Sequence, residues 1–187
     1  MADSPLGSRR VLVGVGGSVA AYKACEVVTE LRRRGAEVRV AMTEAATRFV
    51  TPTLLRALSG HRVTVSMWDE VEIEHGMSHL DLAEWCEALV VVAATADLIA
   101  RFASGLGDDA VTATALACRR PMLVAPAMEA AMWEHPATQS NAATLTSRGV
   151  RIIGPVRGRL ASGHEDSGRM LEPEAIIAAI EETLGAV

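Results

Sequence analysis

Apolar positions along this chain fall into short unbroken runs, separated by longer stretches in which they recur at helical spacing. Val11-Leu12-Val13-Gly14-Val15 is continuous rather than alternating, which is the pattern of a strand covered on both faces. Ala88 to Ala93 and Met122 to Ala125 repeat it, and Ala36 to Met42, Val63 to Ser66 and Val150 to Ile153 read as further strands. A helical stretch follows Ser18 and runs through Arg34, where Gly35 can cap it. Thr43 can cap a helix from Glu44 to Phe49, and Pro52 opens another to Ser59 that Gly60 ends. Later helices are expected from His79, over 97–103, 108–118, 137–148 and 174–184. Strands alternating with helices, the first pair forming a right-handed βαβ unit, predict a three-layer α/β domain. The expected fold is Rossmann-like (flavodoxin-like), with a mostly parallel sheet. Residues 1–9 read as a loose tail and 10–187 as a single domain. Asp69 to Ser78 reads as a loop, and Gly154 to Gly168, with four glycines and little apolar content, as a mobile surface loop.

Composition narrows the class. Half of the 187 residues are hydrophobic and 22% are charged, which suits a globular chain with a sizeable core. A net charge of −5 without a basic stripe, and only 3% aromatic residues, argue against nucleic acid as a partner. Cys25, Cys86 and Cys118 are scattered and lack CxxC spacing, which suits buried thiols in a reducing compartment rather than a disulfide or zinc framework. No apolar core of a secretory signal precedes Val11, and no run reaches the ~18 apolar residues of a membrane span. The expectation is a cytoplasmic protein without metal or membrane.

In a sheet of this kind ligands bind beyond the carboxyl ends of the strands. The loops there are Gly14–Val19, Met42–Glu44, Ala93–Asp97 and Pro126–Trp133. In the first, glycines precede a helix start and Ser18 adds a hydroxyl, a seat for phosphate; the alternative is that the glycines only make a tight turn. Ala20 and Ala21 stand where a full G-x-G-x-x-G would continue, and Thr43 rather than an acid ends the second strand, so a mononucleotide is favoured over a dinucleotide. His79, at a helix start, is the histidine best placed for acid–base work, although a lone histidine is also a common structural residue. His61, His75, His135 and His164 make no metal-ligand spacing. The run Pro126-Ala-Met128-Glu129-Ala-Ala-Met132-Trp133 sets one acid among sulfur and aromatic side chains, either as ordinary core with Glu129 in solvent or as a site wall.

Five segments taken together resemble the flavin-dependent cysteine decarboxylases (HFCD flavoproteins), which include phosphopantothenoylcysteine decarboxylase and the peptidyl-cysteine decarboxylases of lantibiotic-type peptide biosynthesis. They are Gly16-Gly-Ser-Val-Ala-Ala-Tyr-Lys23, Met77-Ser-His79-Leu-Asp-Leu82, Ala93-Ala-Thr-Ala-Asp-Leu-Ile-Ala-Arg101, Pro126 to Trp133, and Ala161-Ser-Gly163 through Gly168-Arg-Met-Leu-Glu-Pro173. The resemblance implies a homotrimer or a dodecamer built from trimers, with FMN at each subunit interface. It implies that Gly16, Gly17, Ser18, Val19 and Thr43 hold the phosphate and ribityl chain, that Ala94, Thr95, Ala96 and Asp97 line the cofactor, and that Phe49 contributes from a neighbouring subunit. His79 matches the catalytic histidine. Met128, Glu129, Met132 and Trp133, with Ser162, Arg169 and Met170 of the 157–170 loop, match the substrate clamp. The chemistry implied is oxidation of a cysteine thiol to a thioaldehyde by hydride transfer to FMN, which creates the electron sink for loss of CO₂.

Two departures bear on the substrate. Ser162 stands where the phosphopantothenoylcysteine enzymes carry a proton-donating cysteine, and a serine hydroxyl is a far weaker acid than a thiol of pKa ~8.5. Glu129 stands where the family has asparagine; an ionised carboxylate ~4 Å from that of the substrate would repel it by about 4 kcal/mol at an effective dielectric near 20. A protonated Glu129, a local cation, or a substrate held differently would each resolve the conflict. These departures lead to the expectation of oxidative decarboxylation of the C-terminal cysteine of a ribosomally made precursor peptide to an aminoenethiol. Phosphopantothenoylcysteine decarboxylase in coenzyme A biosynthesis is the alternative, and a non-catalytic FMN-binding regulatory protein is an alternative of another class.

Overall fold

The fold is that of a computed structural model, which describes residues 6–68 and 77–185. The unbroken apolar runs become β1 (Arg10–Val15), β4 (Ala88–Ala94) and β5 (Met122–Pro126), flanked by β2 (Glu37–Met42) and the two-residue strands β3 (Val63–Thr64) and β6 (Arg151–Ile152). All six pair in parallel, in the order β3-β2-β1-β4-β5-β6. That is the doubly wound order, with the chain reversing direction across the sheet at the β1/β4 junction. β1 and β4 are the central pair, and β4 is buried along its whole length, which is why neither alternates.

The two faces of the sheet have separate cores. Val11, Val13 and Val15 point to one, where they meet α1 (Lys23–Arg33), α2 (Pro52–Ser59) and α8 (Pro173–Thr183) through Val27, Leu31, Leu55, Ile176 and Ile180. Leu12, Leu89 and Val91 point to the other, covered by α3 (Ser78–Trp85), α4 (Ala96–Ser104), α5 (Ala110–Ala117) and α7 (Pro136–Ser147). Helix ends follow local chemistry. Thr51 caps α2 and Thr95 caps α4 through their hydroxyls, Asp109 and Thr112 make a reciprocal capping box on α5, and Gly60 and Gly105 close α2 and α4 in the left-handed conformation.

Three expectations change. Residues 6–9 are not loose, because Leu6 is buried in the first core and Leu6 and Ser8 donate backbone hydrogen bonds to Arg34 and Gly35. The stretch Gly154 to Gly168 is not an irregular loop. It is an antiparallel hairpin, β7 (Val156–Arg159) and β8 (Glu165–Arg169), which folds without an apolar face because each strand pairs with the other. The expected helix over Glu44–Phe49 is a single 3-10 turn, Ala45–Arg48. The expected loop over Asp69 to Ser78, with His75, lies outside the described residues up to position 76; Ser78 itself begins α3.

Candidate functional site

The carboxyl ends of the strands and the hairpin enclose a cavity of about 630 Å³, within the ~300–1,000 Å³ of small-molecule clefts. Its floor is the turn after β1. Gly17, Ser18 and Val19 lie there, and Ser18 accepts a hydrogen bond from the amide of Ala20 to start a 3-10 turn, Val19–Tyr22, that runs directly into α1. The glycines serve close packing of neighbouring loops. A Cβ on Gly16 would lie 2.3 Å from the Ala93 carbonyl oxygen, and one on Gly17 would lie 2.5 Å from the Ala45 Cβ.

Lys23, 6% exposed, lines the floor and donates to Glu172 at 2.8 Å. Glu172 also receives the Arg169 guanidinium, so the start of α1 is tied to the end of the hairpin. These two cations, Lys23 first, hold the Glu172 carboxyl below its usual range.

The roof is the hairpin, hereafter the flap, laid on the methionine turn that leads into the short helix α6 (Ala130–Trp133). Met128 donates its amide to the Gly168 carbonyl at 3.0 Å, and a Cβ on Gly168, whose φ is +116°, would strike the Met128 carbonyl oxygen at 2.2 Å. Glu129 engages the flap tip through both oxygens, accepting from the Ser162 hydroxyl at 2.8 Å and from the Ser162 amide at 3.2 Å. The Ser167 hydroxyl donates to Glu134 at 2.9 Å. Met170, at the flap's base, is buried, and its sulfur accepts the amide of Ala93 at 3.1 Å. Ala93 needs that acceptor because its φ of +56° and the bulge between Val91 and Ala94 take its amide out of the β4–β5 ladder.

Of the residues expected from the sequence, Gly17, Ser18, Val19, Phe49, Thr95, Met128, Glu129, Met132, Arg169 and Met170 line this cavity. Phe49 lines the cavity of its own chain. Others stand behind the wall. Gly16 packs on Ala93, Ala94 is buried in the second core, and the Thr43 hydroxyl caps the next turn by accepting from the Ala46 amide. Ala96 opens α4, and Asp97 pairs with Arg101 at 2.8 Å. Trp133 packs on the second core, and Ser162 reaches the site only through Glu129.

His79 is elsewhere. It lies in a smaller groove of about 250 Å³ with Leu80, Gly107, Ala113, Leu116 and Ala117, between α3 and α5. Among the described residues its buried Nδ1 has no hydrogen-bond partner, nor do Ser78 Oγ and the two carboxylate oxygens of Asp81. Sequence reasoning passed over Tyr22, Lys23 and Arg159 as wall residues. Lys23 left one signal, a lysine directly before the apolar face of α1, but its partner Glu172 is 149 positions away.

Comparison with known proteins sets this geometry in a family. The Flavoprotein family model matches residues 2–185. The coenzyme A biosynthesis bifunctional protein CoaBC of Vibrio vulnificus is 44% identical over 177 residues, 95% of this chain and 44% of its own length. That of Escherichia coli is 46% identical over 172 residues, 92% of this chain and 42% of its own. The chain therefore spans less than half the length of these curated relatives. The crystal structure of the FMN-dependent cysteine decarboxylase SpaF superposes with a TM-score of 0.82 at 33% identity, covering 97% of this chain and 98% of that one. A Cys-to-Ser mutant of PPC decarboxylase complexed with pantothenoylaminoethenethiol gives 0.83 at 29% identity, covering 95% and 99%.

These relatives overturn the expected precursor-peptide substrate, because curated likeness at this level runs to CoaBC and not to peptide-modifying enzymes. The two departures, Ser162 and Glu129, form a single hydrogen-bonded pair at the flap tip. Among the described residues Glu129 has no cationic partner, and it accepts from the amide and hydroxyl of Ser162. A cavity floored by a hydroxyl-capped helix start and roofed by the flap, in a sequence matched from residue 2 to residue 185, leads to one conclusion: the chain belongs to the Flavoprotein family.

Proposed function

We propose that this chain is an FMN-dependent decarboxylase of phosphopantothenoylcysteine, the small cysteine conjugate of coenzyme A biosynthesis. The observation that carries the reading is 41–46% identity to CoaBC proteins over nearly the whole chain, and the flap-covered cavity gives it a place to act. FMN fits the walls on two counts. Ser18 and the amides around it, at the start of a helix, suit a phosphate. Val19, Phe49 and Met132 offer apolar surface to a flat ring. Gly17, Ser18 and Val19 would take the phosphate and ribityl chain, while Thr95 and Phe49 line the ring. Gly16, Thr43, Ala94, Ala96 and Asp97 shape those turns from behind. When bound, FMN supplies the two-electron oxidation of the substrate thiol that makes the neighbouring carboxylate easy to lose.

The chain's own residues bind and enclose the substrate. Met128 and Met132 give the cysteine moiety an apolar wall, and the flap excludes water. The Glu129 carboxylate is turned to the flap, with both oxygens bonded to Ser162, and Arg159 lines the same cavity to receive an anionic group. His79 acts as acid–base group from a second copy of the chain. In one chain its groove is separate from the cavity, and both have exposed apolar rims: Val19, Tyr22, Phe49 and Met132 at one, Leu80 and Leu116 at the other. A homotrimer, or a larger assembly of trimers, would bring the two together.

Complementation tests the reading. Expressed in a bacterium whose own CoaBC decarboxylase is switched off, the chain should restore growth and its His79→Asn variant should not. Failure to restore growth, with yellow holoprotein present in the cells, contradicts it.

A further inference from the structure

We propose that Cys86 and Cys118 form an oxidant-reactive dithiol, closing to a disulfide on exposure to hydrogen peroxide or another two-electron thiol oxidant and pinning α3 to α5 beside His79. The two residues end neighbouring helices. Cys86 follows α3 and donates its amide to Leu82, and Cys118 follows α5 and donates its amide to Thr114. Their sulfurs are 3.6 Å apart. A disulfide needs about 2.05 Å, a closure within reach of side-chain rotation because both residues sit at helix ends in extended backbone. Cys86 is fully buried and Cys118 half-buried, so a small oxidant meets Cys118 first.

The surroundings divide the pair into nucleophile and partner. A carbonyl end of a helix by itself disfavours a thiolate. Cys118 nevertheless has its thiol pushed down, first by the hydrogen bond from Cys86, with the backbone and positive charge of Arg120 adding to it. The same shared proton, with burial, pushes the Cys86 thiol up. Cys25 is the internal contrast, a thiol on α1 raised by burial and with no cysteine beside it. The expected order of events follows. The Cys118 thiolate attacks the peroxide, the O–O bond breaks, and Cys118 becomes a sulfenic acid as hydroxide leaves and is protonated to water. The Cys86 sulfur then attacks the sulfenic sulfur and expels a second water. The two thiols lose two electrons and two protons, and the peroxide is reduced to two waters.

The link would matter to the site because α3 begins at the His79 groove, and Leu116 and Ala117 of α5 form its opposite wall directly before Cys118. Joining the far end of α3 to the end of α5 fixes the spacing of those walls.

The test uses reduced FMN holoprotein treated anaerobically with graded hydrogen peroxide, quenched, unfolded, alkylated with iodoacetamide and mapped by mass. Cys86 and Cys118 should escape alkylation together, roughly tenfold faster than Cys25 reacts, with their peptides joined and two hydrogens lighter and the bond reversed by dithiothreitol. The Cys86→Ser variant should stop at a Cys118 sulfenic acid that dimedone traps. Mapping of the unmodified sequence needs no variant, so the proposal stands or falls even if that variant folds poorly. Both thiols remaining alkylatable, or Cys118 passing to sulfinic acid while Cys86 stays free, overturns it.

Discussion

Glu129 and Ser162 meet across the gap between the methionine turn and the flap tip, and their two hydrogen bonds hold the roof of the cavity in place. Ser162→Ala removes the hydroxyl donor from a half-buried carboxylate, a loss of about 1 kcal/mol that corresponds to roughly fivefold in an equilibrium constant. The expected result is a fivefold rise in KM with little change in kcat, and faster proteolytic cutting within 157–166; an unchanged KM and unchanged cutting would remove the latch from the account. Met170 does a different job at the other end of the flap. Its sulfur is the acceptor for the Ala93 amide, so Met170→Leu keeps the volume but leaves a buried donor unpaired. Urea unfolding should show a loss of about 1–3 kcal/mol, against less than about 1.5 kcal/mol for a volume-conserving swap alone. Neither contact was legible in the sequence. Glu129 and Ser162 are 33 positions apart, and Met170 and Ala93 are 77.

The elements themselves were legible wherever burial decides the pattern. The apolar runs of β1, β4 and β5 and the capped apolar faces of α2 and α4 declare themselves locally, because each buries its own side chains in one of the two cores. The flap did not, since its strands are polar and mostly exposed and gain their form only from each other and from the methionine turn.

Charge does similar work between helices α1 and α8. Arg34, just past α1, is bonded to Glu30 and to Glu181 and Glu174 of α8. Arg33 and Arg34 together lower the Glu30 carboxyl from 4.5 to about 2. A carboxyl lowered in the folded state stabilises it fully above its unfolded value, and that stabilisation is lost as pH falls through the folded one. Stability should therefore fall between about pH 4.5 and about pH 2. Arg34→Met should lower the urea midpoint at pH 7 and flatten that acid slope. An unaltered slope would mean that the clamp contributes nothing to acid sensitivity.

At the scale of the whole molecule, the family was legible and the substrate was not. The segments around Gly16, His79, Thr95 and Met128 are local and survive inspection one at a time. The substrate expectation was drawn from Ser162 and Glu129 one at a time, and their contact across 33 positions is not written in either segment. Because the cavity and the His79 groove are separate in one chain, the role proposed for His79 requires assembly. Leu116, 65% exposed at the rim of that groove, is a suitable probe. Leu116→Glu should shift the protein toward monomer in light scattering and lower turnover at least about tenfold, with its circular dichroism unchanged. A monomer that keeps full turnover would show that one chain suffices.

The central claim is most directly tested by incubating the reduced-thiol holoprotein anaerobically with phosphopantothenoylcysteine and, separately, with a peptide ending in cysteine, and weighing the products. The account predicts that phosphopantothenoylcysteine loses one CO₂, with or without two further hydrogens according to whether the hydride is returned, while the peptide is returned unchanged; turnover of the peptide with phosphopantothenoylcysteine left intact would contradict it.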